Sequence, residues 1–525
     1  MPEAVESWQP KYNPWLIAVV VAMAAFMEVL DTSIANVALP HMAGDLGASN
    51  DESTWVLTSY LVSNAIVLPI SGWLATAFGR KRFFMMCIVI FTLASLLCGL
   101  APNLGVLVFL RVVQGAGGGG LQPMAQAILA DTFPAEKRGL AFALYGVTAV
   151  LAPTIGPTLG GWLTDNYSWR WIFYINLPVG IAALLLVLRL VEDPPYLAGR
   201  RGAGIRVDYV GIGFLTVAIG ALQVLLDKGQ EEDWFGSHFI LTLAITSALA
   251  FIFLIIWELR HEAPIIDLRM FKNFNFSMSC FMMFNLGVLL FASLVMMPLF
   301  LQTLLGYTAE SAGLVLSGAS VIILFEMPLV GQLTTKVPAK YIMAFGWLAL
   351  AIGMYVSTKQ LDLQISFGSA ARLRIVQALG LGFLFVPINL SSYVGVPPEK
   401  GNQVSGLVNF MRNIGSSVGT SIVTTILARR AQFHQTRIAY HTTYYDPAFR
   451  DQIIGLSGQL RHSGWSAADA QTQAFGRVYG GVLAQSQTLA YIDMFMLLSV
   501  AAAVMFALSF IVRKNSVGSG PVLME

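Results

Sequence analysis

Apolar runs about as long as a bilayer crossing recur along this chain, each ended by a short polar or charged break. A helix needs about 20 mostly apolar residues to span the hydrocarbon core. Fourteen such runs are found. The first six lie near 15–40, 54–76, 83–101, 105–130, 140–163 and 172–190. Two follow near 207–226 and 237–257. The last six lie near 276–301, 312–334, 341–358, 373–395, 404–427 and 489–512. The pattern predicts an all-α membrane protein whose even number of spans leaves both ends on one side. The opening run is longer than a signal-peptide core and has neither a basic cluster before it nor a small-residue cleavage site after it. It is read as a retained span.

Composition agrees with the pattern. Hydrophobic residues make up 56% of the chain and charged residues 11%, against about 25% charged in a soluble domain. Too little charge is left to solvate soluble domains, and the abundance of apolar side chains excludes disorder. The net charge of +2 gives no reason to expect nucleic acid as a partner. Lys and Arg are placed unevenly, which sets orientation. With the N-terminus inside, the cytoplasmic breaks hold Lys11, Arg80, Lys81, Arg82, Lys137, Arg138, Arg189, Arg200, Arg201, Arg206, Arg260, Arg269, Lys272, Lys336, Lys340, Lys400, Arg513 and Lys514. The short external loops hold Arg170, Lys228, Lys359 and Arg372. Both termini are therefore expected in the cytoplasm. Trp15, Trp55, Trp169, Trp171 and Trp234 fall at span ends, as an aromatic belt requires. Cys87, Cys98 and Cys280 lie in apolar runs and are read as packing residues, with no disulfide framework or metal site.

The two outer sets of spans resemble each other. Gly72-Trp73-Leu74-Ala75-Thr76 returns 259 positions later as Gly331-Gln332-Leu333-Thr334-Thr335. Arg111-x-x-Gln114 returns as Arg374-x-x-Gln377, and Gly156-x3-Gly160 as Gly415-x3-Gly419. Three echoes in one order at nearly one offset argue for two homologous six-span halves, a construction common in transporters. The expected organisation is a tail 1–14, an N-terminal six-helix bundle 15–190, two linker spans with flanking loops 191–274, a C-terminal six-helix bundle 275–512 and a tail 513–525. The C-terminal bundle includes a long external loop, 428–488. That segment is polar, with a helical-looking run Ala467 to Gln487; as a bland loop it needs no role.

Ionisable residues within spans are costly and are functional candidates by default. Glu28 and Asp31 stand i, i+3 on one face of the first span. Two readings are open: a polar pair lining a water-filled cleft with no task, or a site for protons and cationic substrates. Two carboxylates this close in a low dielectric are not expected to ionise together. One that holds a proton can take it from one side and release it to the other. Arg111 cannot deprotonate and must be paired or hydrated. It lies about six residues into the fourth span, roughly 9 Å deep at 1.5 Å per residue, close to the depth of Asp31. It is placed to reach Asp31; a structural Arg held by carbonyls and Gln114 is the alternative. Asn36, Gln114, Asn285 and Glu326 complete the candidate substrate cavity, with helix packing the competing role for Glu326. Arg374 and Arg412 are weaker candidates, and Asp493 is read as interfacial.

Gly115 to Gly120 match G-x-G-x-x-G, but inside an apolar helical run after Arg111 rather than after a strand. A nucleotide fingerprint is rejected in favour of close helix packing. No Walker lysine motif, HExxH or paired catalytic His is present in the sequence. No cofactor or metal is expected, and neither ATP drive nor enzymatic chemistry is favoured. The fifth span carries Pro153, Gly156, Pro157, Gly160 and Gly161, which predict a kinked, closely packed helix.

These residues resemble the major facilitator superfamily, and most closely its fourteen-span drug:proton antiporters of the EmrB/QacA type. Leu30 to Pro40 resembles the first-span motif of that family, and Gly72 to Arg82, with Gly79, Arg80, Lys81 and Arg82, its loop motif. Leu107 to Gly115, with Arg111, Gln114 and Gly115, resembles the proton-coupling motif. Ala152 to Gly161 resembles the antiporter motif, and Trp169 to Pro178 also looks like this branch. Thr76 and Ala77 stand where the loop motif usually has Asp and Arg, and Ala152 where the antiporter motif usually has Gly. The resemblance implies the major facilitator fold: two six-helix bundles plus two extra helices, rocking by alternating access. It also implies export of amphipathic or cationic compounds against protons across a bacterial inner membrane. It further implies docking of the periplasmic segment 428–488 to an EmrA-type adaptor and, through it, to a TolC-like outer-membrane channel. The rival readings are a proton-coupled exporter of one specific solute, such as a siderophore or metabolite, and a non-transporting receptor or membrane enzyme.

Overall fold

The computed structural model describes residues 10–194, 207–262, 264–443 and 445–513. Arg200, Arg201, Arg206 and Lys514 of the charge pattern, and most of both tails, lie outside the described residues. Among the described residues the chain is helical, with no strand. Among the described residues, thirteen helices are long and apolar enough to cross a membrane. The first six are Pro14–Leu46, Asp51–Phe78, Arg80–Gly99, Leu104–Thr132, Glu136–Asn166 and Trp171–Leu190. Tyr209–Lys228 and His238–Arg260 follow. The remaining five are Phe274–Leu305, Ser311–Leu333, Ala339–Gln360, Phe367–Ser392 and Ala467–Ser509.

A fourteenth long helix, Gly401–Ala439, occupies the place of the remaining expected span but is too polar to stand with the others. Numbered in chain order it is the thirteenth helix and Ala467–Ser509 the fourteenth. The thirteenth packs against the second and ninth spans and the last helix. Asn402, Ser405 and Asn409 are buried there, so its polar side chains meet other helices rather than lipid tails. That is why it is less apolar than the other thirteen, although the run near 404–427 already predicted a span here.

Proline and glycine shape the spans in matched places. Pro69 of the second span and Pro328 of the tenth sit inside helices at an offset of 259. The fourth span breaks between Gly118 and Leu121, and the twelfth between Ala378 and Gly382. These breaks extend the repeat seen in the sequence to backbone geometry.

The two spans outside the repeat do not stand apart. The seventh packs on both the second span and the thirteenth helix. Gln223 Nε2 donates to Ser417 Oγ at 2.8 Å, and Thr58 donates to Asp227. Beyond the seventh span's end, Trp234 Nε1 donates to Thr425 Oγ1 at 3.0 Å. The inserted pair therefore bridges the seam between the halves on one side.

The described residues of 428–488 are largely helical, over the helical-looking run Ala467 to Gln487 and beyond it. The thirteenth helix runs on to Ala439, Pro447–His462 forms a short helix, and the last helix begins at Ala467. At 1.5 Å per residue the two long helices measure roughly 58 and 64 Å, about twice the hydrocarbon thickness. Ile453 and Leu460 pack against Ala470, Ala474 and Val478. Those residues recur at helical spacing along two facing stripes, which gives the polar segment a small core of its own. Asp493 ties the two long helices together, accepting from Arg430 Nε and meeting His434 Nε2, each at 2.6 Å.

Candidate functional site

The site is built where the first span meets the second, fourth, fifth and sixth. Pro157 has no N–H to give the carbonyl of Pro153, one turn back. Ser33 Oγ donates to that freed carbonyl at 3.1 Å. Gly156 makes this approach possible, because a Cβ there would lie 2.3 Å from Ser33 Oγ. Gly160 lies against Ile34 and Gly161 near Val37. The Pro-Gly run of the fifth span thus seats the first span directly beside Asp31.

Asp31 and Arg111 form a buried ion pair, Nη1 to Oδ2 at 2.5 Å. Both oxygens of the carboxylate accept hydrogen bonds. Oδ1 accepts from Gln114 Nε2 at 2.9 Å and from Asn176 Nδ2 at 2.7 Å. Asn176 also donates to Ser95 Oγ at 3.0 Å. Arg111 donates through Nε to Val56 O at 3.1 Å and through Nη1 to Gln114 Oε1 at 2.9 Å. Its guanidinium carbon stands 4.3 Å from the Tyr60 ring centre, a cation–π contact that replaces part of the lost hydration. Gly115 lets the fourth span close on the backbone of Tyr60, where a Cβ would fall 2.4 Å from the carbonyl oxygen.

Glu28, one turn away, belongs to a second polar cluster. Oε1 accepts from Tyr60 Oη at 3.2 Å and Asn64 Nδ2 at 3.0 Å, and Oε2 accepts from Gln122 Nε2. Gln122 Oε1 accepts from Tyr145 Oη at 2.9 Å and from Arg412 Nη2. Arg412 comes from the thirteenth helix, so the Glu28 cluster joins the two halves while the Asp31 cluster lies within the first.

The remaining sequence candidates separate from this centre. Asn36 is exposed on the first span. Asn285 donates to its own helix at Phe281 O, 2.9 Å. Glu326 is buried between the tenth and twelfth spans, where Oε2 accepts from Gly382 N at 3.3 Å. That contact caps the N–H freed by the break in the twelfth span, so Glu326 makes the helix-packing contact the sequence had offered as its other role. Arg374 donates to Ser293 Oγ at 3.1 Å and Gln377 Oε1 at 3.0 Å, and Gln377 donates to Ser357 Oγ at 2.8 Å. This is the Asp31–Arg111–Gln114 arrangement repeated in the other half, with Ser293 in the place of the acid.

Arg80 and its neighbours lie at the opposite end of the bundle from Asn36. Arg80 is buried, pairs with Asp131 and donates through Nε to Asn402 Oδ1 at 2.7 Å. Lys81 Nζ donates to Leu188 O at 2.7 Å, and Arg82 is exposed. Gly79 turns the chain there with a φ of 88°. Gly72 touches the backbone of Asn402 and Gln403, so the halves meet closely at this end.

Sequence reasoning had not picked out Tyr60, Asn64, Gln122, Gln126, Tyr145, Asn176 and Asn409. The available signal was amides inside apolar runs, with Gln122 and Gln126 one turn apart.

Comparison with known proteins gives consistent results. The family described as Major Facilitator Superfamily matches residues 21–420. The chain is 37% identical over 462 residues to the multidrug export protein EmrB of Escherichia coli K12, covering 87% of this chain and 90% of that one. It is 39% identical over 443 residues to the fatty acid resistance protein FarB of Neisseria gonorrhoeae, covering 83% and 85%. Among solved structures, the human organic anion transporter MFSD10 superposes with a TM-score of 0.56 at 13% identity, covering 95% of this chain and 100% of that one. The proton:xylose symporter XylE does so with 0.56 at 16% identity, covering 96% and 97%. These two show the fold.

Proposed function

Because this chain belongs to the major facilitator superfamily, within its EmrB-type group of export proteins, and is a multi-pass membrane transporter rather than an enzyme, we propose that it is a secondary active multidrug exporter driven by protons. The observation that carries this reading is the buried Asp31–Arg111 pair beside Glu28, with Glu28 tied through Gln122 to the other half. Asp31 and Glu28 take protons from outside and release them to the cytoplasm. The vacated carboxylate attracts a lipophilic cation, so substrate and proton compete.

The halves are joined at the end bearing Arg80, Gly72 and Asn402. In a bacterial inner membrane, the Lys and Arg pattern suggests that the joined end is the cytoplasmic one. One charge crossing about 100 mV is worth about 2.3 kcal/mol. Exchange of one proton for one monovalent cation moves no net charge and draws only on the pH difference. A second carboxylate permits a second proton.

Inverted membrane vesicles test the reading. Uptake of a cationic dye should require an acid interior, collapse with a protonophore, and be competed by unrelated hydrophobic cations. Uptake indifferent to the pH difference contradicts proton coupling. The likeness to FarB favours a second reading, export of one specific amphipath, and failure of competition would support it.

The helical segment 428–488 carries exposed Tyr440, Ile454, Trp465 and Tyr479. This reading assigns it to docking an EmrA-type adaptor that leads to a TolC-like channel. Deletion of residues 440–480 should abolish co-purification with such an adaptor. Retained co-purification contradicts the assignment.

A further inference from the structure

Polar contacts join the thirteenth helix to the first half, in a row leading from the closed end toward Glu28. Asn402 accepts from Arg80 Nε at 2.7 Å, Asn409 Nδ2 donates to Gln126 Oε1 at 2.8 Å, and Arg412 donates to Gln122 Oε1. Gln122 is the member of this row that also touches Glu28. An amide has one donating and one accepting end. Arg412 offers only donors, and Tyr145 Oη donates as well, so Oε1 must face them. That leaves Nε2 for Glu28, which suits an ionised carboxylate that only accepts.

We propose that Gln122 is the positioning residue through which the charge on Glu28 decides whether the two halves stay joined at this end. It rests on the reading that Glu28 takes up the transported proton. Ionised Glu28 holds the amide by a charge-assisted bond, roughly twice as strong as a neutral one. The amide oxygen then stays on Arg412, and the end stays shut. A proton on Oε2 sets O–H against N–H. The amide relieves this by turning over, which brings Nε2 against the donors of Arg412 and parts the contact. An empty, unprotonated exporter is thereby held shut and cannot return without its proton. The other titratable or charged groups facing Glu28 are Tyr60 of the second span, Tyr145 of the fifth, Arg412 of the thirteenth helix and the Asp31–Arg111 pair. The two tyrosines serve as donors, Asp31 is occupied by Arg111, and Arg412 is the group the amide reads.

Spin labels at Phe78 and Tyr341, both exposed near this end, report the opening by pulsed distance measurement on the purified full-length protein. In the wild-type sequence the distance should be short at pH 8 and lengthen on acidification. Glu28→Gln should be long at both pH values. Gln122→Ala should lose the pH-dependent shift. Gln122→Glu keeps an acceptor for Arg412 but offers Glu28 no donor, so it should stay short throughout. A wild-type shift in Gln122→Ala or Gln122→Glu, with none in Glu28→Gln, overturns the role of Gln122 and leaves the proton-site reading standing. A wild-type shift in Glu28→Gln overturns both.

Discussion

Replacing Asp31 with Asn is expected to abolish proton-coupled efflux while leaving the protein folded. Asparagine keeps the shape and one acceptor for Arg111 but has no proton to exchange. Arg111 retains its bonds to Val56 O and Gln114 and its place over the Tyr60 ring. The other half shows that this fold holds a buried arginine among neutral partners, since Arg374 rests on Ser293 and Gln377. The expected cost is therefore about 1–3 kcal/mol, the range for a poorly satisfied buried polar group. Export assays paired with thermal unfolding in detergent check both halves of the statement. Wild-type resistance in Asp31→Asn contradicts it.

Removing the cation should do more damage. Arg111→Leu leaves a carboxylate in the membrane interior with only Gln114 and Asn176 as donors. Breaking a buried ion pair by deleting one partner costs about 3–5 kcal/mol. Both folded yield and transport should fall. Adding Asp31→Asn to Arg111→Leu should recover stability but not transport, because the double variant buries no unpaired charge. A double variant no more stable than Arg111→Leu would show that the pair is not what the arginine stabilises. Arg111→Lys should not rescue either, since a single ammonium cannot serve Val56 O, Gln114 and Asp31 in the planar geometry of guanidinium.

Much of this was legible in the sequence, and the reasons are physical. Long apolar runs mark spans because lipid demands them. Glu28, Asp31 and Arg111 stand out because charge inside such runs is expensive. The depth match placed Arg111 near Asp31, and the structure joins them. The repeat of Arg111–Gln114 in Arg374–Gln377 proved to be a repeat of geometry, with the acid missing. Legibility failed where the informative residue was neutral. Gln122, Asn64 and Asn176 carry no charge, and only folding shows that they converge on the two carboxylates. It failed in part in 428–488, where polarity suggested a loop around the helical-looking run Ala467 to Gln487, and where spaced Ile453 and Leu460 built a further helix against Ala470 and Ala474. Glu326 is a buried acid for which the sequence left two readings open, and the structure sets it against the N–H freed by a helix break.

The central claim is that Asp31 and Glu28 exchange protons for substrate. The most direct measurement is proton release from the purified protein on adding substrate in weakly buffered solution, screened across cationic and neutral compounds. The account predicts release from the wild-type sequence with at least one class of compound, less from Glu28→Gln and none from Asp31→Asn at saturating substrate. Undiminished release from Asp31→Asn would contradict it.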